Sequence, residues 1–278
     1  MMLPSRIVSP RTLPAIRRLS RLVPEDSDVE VHQIGNDATV RVFDPETPAA
    51  VPGPALLWIH GGGYVIGSAA QDDRLCRRFA AALGIRVISV DYRLAPDFPF
   101  PAAADDCYAA LEWTANRPEI DATRIAIGGA SAGGGLAAAL AIRAHDKGEI
   151  APFFQLLVYP MLDDRSSNVD GRHRLWDAKS NRFGWDSYLG GQTPDEIAPA
   201  RRDDLSGLPP AWIGVGTLDL FLTEDQVYAE RLRQAGVPCS ISLIPGAFHG
   251  FDLVAPGKRI SRDFFEQQCA ALKAAITG

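Results

Sequence analysis

Short apolar runs alternate with longer amphipathic segments along most of the chain. Near-continuous hydrophobicity in the short runs is typical of strands buried on both faces of a parallel sheet. The predicted strands are Thr39–Phe43, Ala55–His60, Arg86–Asp91, Arg124–Gly128, Phe154–Tyr159, Trp212–Gly216 and Ser240–Ile244. The predicted helices are Asp72–Leu83, Ala102–Ala115, Ala132–His145, Glu224–Ala235 and Ser261–Ile276. This alternation predicts an α/β fold in which helices cover both faces of a mostly parallel central sheet.

One long segment, residues 165–207, departs from the alternation. It is polar and irregular but contains Trp176, Trp185, Tyr188 and Leu189. Such an insertion is either a lid whose aromatic rings face a substrate or a surface loop whose rings pack against the rest of the protein. The pattern leaves both interpretations open.

The first 24 residues are basic, with five arginines and no acidic residue. This composition resembles a transit peptide, but Ile16, Leu19 and Val23 recur at helical spacing. We favour an amphipathic helix laid over the body of the protein, because a hydrophobic region and a small-residue cleavage site are both missing. Residues 1 to about 35, together with residues 165–207, are predicted to form a small cap.

Composition and charge limit which classes of fold and function are compatible with the sequence. With 278 residues, 46% hydrophobic and 22% charged, the chain fits a single globular domain over residues 1–278. A net charge of -6 disfavours a nucleic-acid partner, since binding to phosphates requires clustered basic side chains. The sequence contains no apolar run of about 18 residues, as a membrane span requires. The four cysteines are too scattered for a zinc site or a disulfide framework.

The segment Gly129–Gly133 has the pattern G-x-S-x-G and lies between a predicted strand and an alanine-rich predicted helix. In this setting the pattern is typical of a nucleophile elbow, a sharp turn that lifts a serine oxygen above the sheet. Glycines flank the serine because larger side chains would collide in the turn. Ser131 is therefore the predicted nucleophile.

A run of three glycines follows the strand Ala55–His60, within the segment His60–Tyr64. Acyl transfer passes through a tetrahedral oxyanion, and glycines let backbone N–H donors approach it without obstruction. We expect Gly62, Gly63 and Ala132 to supply these donors. A phosphate-binding glycine loop is the alternative, but the segment lacks both the Lys-Ser/Thr of a P-loop and the spacing of a dinucleotide site.

A serine nucleophile in this fold needs an acid and then a histidine base later in the chain. Among the five histidines, only His249 follows a late predicted strand, in a loop flanked by glycine. Asp219, which follows the strand Trp212–Gly216 by a short turn, is the predicted acid. Glu224 and Asp225 are alternatives, although acidic residues at the start of a helix commonly favour its dipole.

These motifs resemble those of the hormone-sensitive-lipase-like carboxylesterases, the bacterial family IV branch of the α/β-hydrolases. The resemblance runs from about residue 40 to the C-terminus and rests on the segments His60–Tyr64, Asp91–Pro96, Gly129–Gly134, Asp219–Glu224 and Phe248–Phe251. It implies an α/β-hydrolase fold with a catalytic triad of Ser131, Asp219 and His249. It also implies oxyanion donors at Gly62, Gly63 and Ala132, and no metal or organic cofactor.

The chain departs from the family pattern in three places. Ala130 stands where Asp or Thr usually precedes the nucleophile, so a polar contact is missing there. Thr223 stands where the acid segment often has Asp. The N-terminal region is shorter than in many members, which implies a small cap and an open site.

The resemblance implies a serine carboxylesterase that hydrolyses short- to medium-chain acyl esters through an acyl-enzyme on Ser131. The predicted pocket walls are Tyr64, Val65, Trp185, Tyr188, Leu220 and Phe221.

An amidase, peptidase or lactonase with the same triad is the nearest alternative, and a non-catalytic protein that binds a small molecule is an alternative of another class. A small ester is the expected partner, a homodimer is left open, and the lack of a signal peptide predicts a cytoplasmic location.

Overall fold

The computed structural model describes residues 8–20, 26–35, 38–48, 50–167 and 173–277. Eight strands in this part of the chain form one sheet in the order β1-β2-β4-β3-β5-β6-β7-β8. They are β1 Glu30–Ile34, β2 Ala38–Phe43, β3 Gly53–Ile59, β4 Arg86–Asp91, β5 Ile120–Ala130, β6 Phe154–Val158, β7 Ala211–Gly216 and β8 Cys239–Ile244. Strands β3 to β8 run parallel, whereas β1 and β2 pair antiparallel with their neighbours. The predicted mostly parallel sheet is confirmed.

Helices cover both faces of this sheet, which explains why its central strands are apolar throughout. In β3, Leu57 and Ile59 belong to one core and Leu56 and Trp58 to the other. The first core also includes residues of α3 Ala102–Ala115, α4 Ala132–Lys147 and α6 Leu222–Gln234. The second includes residues of α2 Asp73–Leu83 and α8 Arg259–Thr277. Within the described ranges, no helix combines the length and apolar character needed to cross a bilayer.

Helix α1, Leu13–Ser20, forms inside the basic N-terminal segment, as predicted. Its buried face differs from the prediction, since Leu13 is buried and Ile16 packs against the core while Leu19 is 65% exposed. At 3.6 residues per turn, Leu19 lies about 120° from Leu13 around the helix axis. The third predicted position, Val23, lies outside the described residues.

Three of the strands and α-helices were not predicted, namely β1 and two helices. Strand β1 is an edge strand whose residues are mostly exposed or half-buried, so it lacks a hydrophobic pattern, and it places residues 30–34 in the sheet rather than in a cap. Helix α5, Ala178–Leu189, lies inside the segment predicted to be irregular. Asp177 caps it by accepting a hydrogen bond from Ser180 N at 2.8 Å. The remaining helix, α7, spans Phe251–Val254.

Candidate active site

Ser131 lies in a sharp turn between the end of β5 and the first residue of α4. Its φ of 57° and ψ of -121° are rare for a residue with a side chain. The turn is held because Ser131 N donates to Val158 O and Ser131 O accepts from Met161 N, both at 2.9 Å. A Cβ on Gly133 would lie only 2.1 Å from Ile59 O, so the flanking glycine lets the turn pack directly against β3.

The structure brings the three predicted triad residues together. Ser131 Oγ lies 2.9 Å from His249 Nε2. His249 Nδ1 lies 2.9 Å and 3.1 Å from the two carboxylate oxygens of Asp219. All three residues are buried, although 118 residues separate the serine from the histidine in the chain. With Nδ1 protonated and donating its hydrogen bond to Asp219, the Nε2 lone pair is free to accept the serine proton.

The imidazole of His249 is held between aromatic rings. Phe221 meets it edge-on at 5.0 Å between ring centroids, and Tyr159 does so at 4.8 Å. Phe221 also donates its backbone N–H to Asp219 Oδ1 at 3.0 Å. Phe221, predicted to be a pocket wall, therefore orients the acid and the base.

The alternative acids lie elsewhere. Glu224 Oε1 accepts hydrogen bonds from the backbone N–H groups of Leu162 at 2.7 Å and Asp163 at 3.2 Å, which ties α6 to the chain after β6. Burial raises the pKa of Glu224 to about 8. Asp225 is buried, and within the described residues its carboxylate has no hydrogen-bond partner. Only Asp219 contacts His249 among these three acids.

His60 organises the glycine loop. Its Nδ1 donates to Gly61 O at 2.8 Å, and its ring stacks on Tyr92 at 4.2 Å. Tyr92 in turn donates its hydroxyl to His60 O at 3.0 Å. Burial lowers the pKa of His60, which keeps the ring neutral. These contacts give His60 a structural role in the glycine loop.

The glycine loop lies against the nucleophile elbow. A Cβ on Gly61 would be 2.9 Å from Ala130 O and 3.4 Å from Ser131 Cβ. Gly62 has a φ of +132°, and a Cβ there would lie 1.9 Å from Ile66 O. In the described part of the chain, no acceptor is hydrogen-bonded to the backbone N–H groups of Gly62, Gly63 and Ala132. These three amides are therefore unpaired in the described structure.

A cavity of about 240 Å³ adjoins Ser131 and His249. Its apolar lining includes Ile66, Leu175 and Trp176. The Trp176 ring covers Gly63, where a Cβ would lie 2.0 Å from the indole. Of the aromatic residues in the segment 165–207, Trp176 thus faces the site.

The six residues predicted as pocket walls do not line this cavity. Tyr64 stacks on Tyr188 at 4.2 Å and lies 5.2 Å from Trp185, so these three rings form part of the core. Val65 and Leu220 are also buried in that core. The prediction was wrong for this cavity because large apolar side chains next to the motifs pack inward, whereas glycines and distant residues form the walls.

The polar lining was not predicted. It contains Asp72, Asp252 and Gln268, which lie in three different parts of the chain. Burial raises the pKa of Asp72 to about 7, against the lowering effect of a hydrogen bond from Trp58. Burial also raises the pKa of Asp252. No cluster of three or more His, Cys, Asp or Glu side chains suited to a metal ion occurs within the described ranges.

An oriented serine, histidine and acid at a strand–turn–helix elbow, with free amides beside the serine, define the class of an α/β-hydrolase. Residues 56–253 match the model of a family described as having the alpha/beta hydrolase fold. The chain therefore belongs to this family, and the predicted fold and hormone-sensitive-lipase-like relationship are confirmed.

Several proteins similar to this chain are named for ester hydrolysis. Esterase LipI of Mycobacterium tuberculosis is 37% identical over 76% of this chain and 70% of its own length. The ethyl acetate hydrolase of Pseudomonas putida is 35% identical over 78% of this chain and 72% of its own length. The crystal structure of esterase LipW from Mycobacterium marinum superposes with a TM-score of 0.88 at 34% identity, covering 97% of this chain and 92% of that one.

Proposed function

We propose that this protein is a carboxylic ester hydrolase that acts on small esters through an acyl-enzyme on Ser131. The observation that carries the proposal is the continuous hydrogen-bonded chain from Ser131 Oγ through His249 to Asp219. The similarity to an esterase and to an ethyl acetate hydrolase supports an ester as the substrate.

The proposed reaction has two steps. Ser131 Oγ attacks the ester carbonyl while His249 Nε2 takes the serine proton, and the resulting imidazolium is stabilised by Asp219. His249 then protonates the leaving alcohol. In the second step His249 removes a proton from water, which attacks the acyl carbonyl. The bond between the acyl group and Ser131 Oγ then breaks, His249 returns the proton to Oγ, and the carboxylic acid leaves.

Charge that develops on the carbonyl oxygen needs donors that are already in place. The amides of Gly62, Gly63 and Ala132 are the proposed donors. Ala132 also begins α4, so the positive end of the helix dipole supports the same charge. One such donor contributes about 10²- to 10³-fold to the turnover rate in related chemistry.

The size of the cavity favours small substrates. Its volume of about 240 Å³ is below the roughly 300–1,000 Å³ of pockets that hold drug-sized ligands. We therefore propose esters with short to medium acyl chains as substrates. We also propose that the chain forms a single catalytic domain. Helix α1 and the described parts of residues 165–207 form the proposed cap, since Arg17 Nε donates to Val65 O at 2.8 Å beside the glycine loop and Trp176 covers Gly63. A homodimer and a cytoplasmic location stay predictions.

A panel of p-nitrophenyl esters of increasing acyl length, run beside matched amides and a lactone, tests the proposal. We expect hydrolysis of the short esters and its loss in Ser131→Ala. Ser206→Ala, at an exposed serine, is the matched control and should behave as the wild type. Turnover of amides alone, or ester hydrolysis that survives in Ser131→Ala, would overturn the proposal.

A further inference from the structure

We infer that the cavity beside Ser131 selects esters that carry a protonated amine. This inference rests on the proposed function and names the substrate class of the same site. It arises from the polar wall, defined here as Asp72, Asp252 and Gln268. Reactions that couple a carboxylic acid to an amino alcohol, or an amino acid to an alcohol, would supply such substrates.

The two carboxylates of the polar wall are held by rigid elements of the sheet. Asp72 Oδ2 accepts a hydrogen bond from Trp58 Nε1, at the end of β3, at 2.8 Å. Asp252 Oδ1 accepts one from the hydroxyl of Tyr159, directly after β6, at 2.9 Å. The Tyr159 ring also contacts His249. The acids therefore have fixed positions in the cavity that contains the reacting serine.

In the described ranges, no lysine or arginine compensates these two acids. Among the described residues, neither Asp72 nor Asp252 forms an ion pair with a lysine or arginine. The next residue, Asp73, differs, because Arg41 binds both of its carboxylate oxygens, at 2.8 Å and 2.5 Å. A buried carboxylate without a cation is unfavourable, and the raised pKa of Asp72 is one expression of that cost. A cationic group of the substrate would supply the missing charge.

Gln268 gives an independent indication of a ligand with a hydrogen-bond donor. Its side chain is only 2% exposed and lines the cavity. Within the described residues, its Oε1 atom is buried and has no hydrogen-bond partner. Buried carbonyl oxygens are seldom left unpaired, so the amide of Gln268 leaves one unsatisfied acceptor in the wall of the cavity.

A protonated amine matches all three groups. It donates hydrogen bonds to oxygen acceptors and carries the positive charge that the carboxylates lack. A carboxylate or phosphate would be repelled, and a plain alkyl chain would leave Gln268 Oε1 unpaired. Because the cavity is small and also contains Ser131, the amine must belong to the same small molecule as the ester.

Matched pairs of esters test the inference in the wild-type protein. One pair carries the amine on the alcohol side, 2-(dimethylamino)ethyl acetate against the isosteric 3-methylbutyl acetate. The other carries it on the acyl side, methyl 4-(dimethylamino)butanoate against methyl 5-methylhexanoate. A charge-assisted hydrogen bond predicts that kcat/KM is about 10- to 100-fold higher for the cationic ester of at least one pair near pH 7. The pair in which the cationic ester is preferred identifies which half of the ester occupies the cavity. Equal kcat/KM values for the cationic and the neutral ester in both pairs would overturn the inference.

Asp72→Asn connects the preference to the polar wall. It keeps the size of the side chain and an acceptor for Trp58 but removes the charge. The ratio of the two kcat/KM values in the favoured pair should fall toward one. Asp186→Asn, at an exposed position on α5, is the matched control and should keep the wild-type ratio. An unchanged ratio in a folded Asp72→Asn protein would contradict the assignment.

Binding to Ser131→Ala separates this inference from the proposed function. Calorimetry with 2-(dimethylamino)ethanol and 3-methylbutanol, and with both pairs of intact esters, requires no turnover. We expect a cationic ligand to bind about 10-fold or more tightly than its isostere. This preference would support the polar wall even if the wild type hydrolysed no ester. If no cationic ligand binds more tightly than its isostere, among either the alcohols or the esters, the inference is overturned. The esterase assignment is then unaffected.

Discussion

The two sides of the cavity differ in how their polar atoms are paired. On the catalytic side, the Asp219 carboxylate contacts His249 Nδ1 and Phe221 N, and His249 Nε2 contacts Ser131. On the polar wall, Gln268 Oε1 has no partner within the described residues. Asp72, also on that wall, accepts from Trp58 but pairs with no lysine or arginine in the part of the chain that the structure describes.

This difference separates two functions within one cavity. Groups that carry out proton transfer are oriented before the substrate arrives, because a preorganised site needs no rearrangement during the reaction. Groups that recognise a substrate can remain partly unpaired until it binds. The polar wall therefore bears on which ester is accepted, and the triad bears on the rate at which it reacts.

Asp219→Asn gives the largest expected effect on the catalytic side. An amide at this position cannot stabilise the imidazolium and favours the wrong histidine tautomer, so kcat should fall by about 10⁴-fold while the fold is kept. Steady-state kinetics with a short p-nitrophenyl ester measures the change, and circular dichroism checks the fold. Asp186→Asn is the control. A loss of less than about 10-fold in Asp219→Asn would remove this residue from the proposed triad.

Gly62→Ala should have the next largest effect. The φ of +132° disfavours any side chain, and the new methyl group would meet Ile66 O. Displacement of the loop moves an oxyanion donor, so kcat/KM should fall by about 10²- to 10³-fold. Gly257→Ala, where a Cβ meets nothing within 4 Å, is the matched control. Wild-type kcat/KM in Gly62→Ala would mean that the loop does not contribute to the reaction.

Asp72→Asn should have a smaller effect, visible in stability as a function of pH. Burial raises the pKa of Asp72 from 3.8 to about 7, so the folded state holds this proton more tightly than the unfolded state. The resulting stabilisation is complete below about pH 4 and is lost as the pH rises through about 7. The rise of this pKa from 3.8 to about 7 limits the loss of stability to roughly 4 kcal/mol.

The asparagine variant has no such proton to lose. Its free energy of unfolding relative to the wild type should therefore rise between about pH 4 and pH 8. Asp252, whose pKa is also raised by burial, remains in both proteins. Urea denaturation at several pH values measures the difference. A difference that is constant with pH would show that Asp72 ionises normally in the folded protein.

The sequence predicted the catalytic side better than the polar wall for a physical reason. Ser131 and Gly62 lie in short motifs whose glycines are required by local backbone geometry. Chain order predicted Asp219 and His249, which hydrogen-bond to each other and, through His249, to Ser131. Such constraints are visible within a few neighbouring residues. The bounds of β4 and α3 were also predicted correctly, because both elements have apolar patterns set by burial.

The polar wall has no local signature. Asp72 ends a short 3-10 turn, Asp252 lies in α7 and Gln268 lies in α8, so only the folded chain brings them together. Helix α5 was missed for another reason, since its polar composition hides a helix although Asp177 and Gly190 mark its two ends. The large residues beside the motifs were misassigned because sequence cannot tell a ring that faces a cavity from one that faces the core.

A covalent trap tests the central claim, that Ser131 is the nucleophile. The wild-type protein is treated with a small organophosphate and examined by intact-mass and peptide mass spectrometry. We predict one phosphoryl adduct, on the peptide that contains Ser131, and no adduct in Ser131→Ala. Esterase activity should be lost in proportion to the labelling. Complete labelling at another residue, or inactivation without any adduct at Ser131, would contradict the central claim.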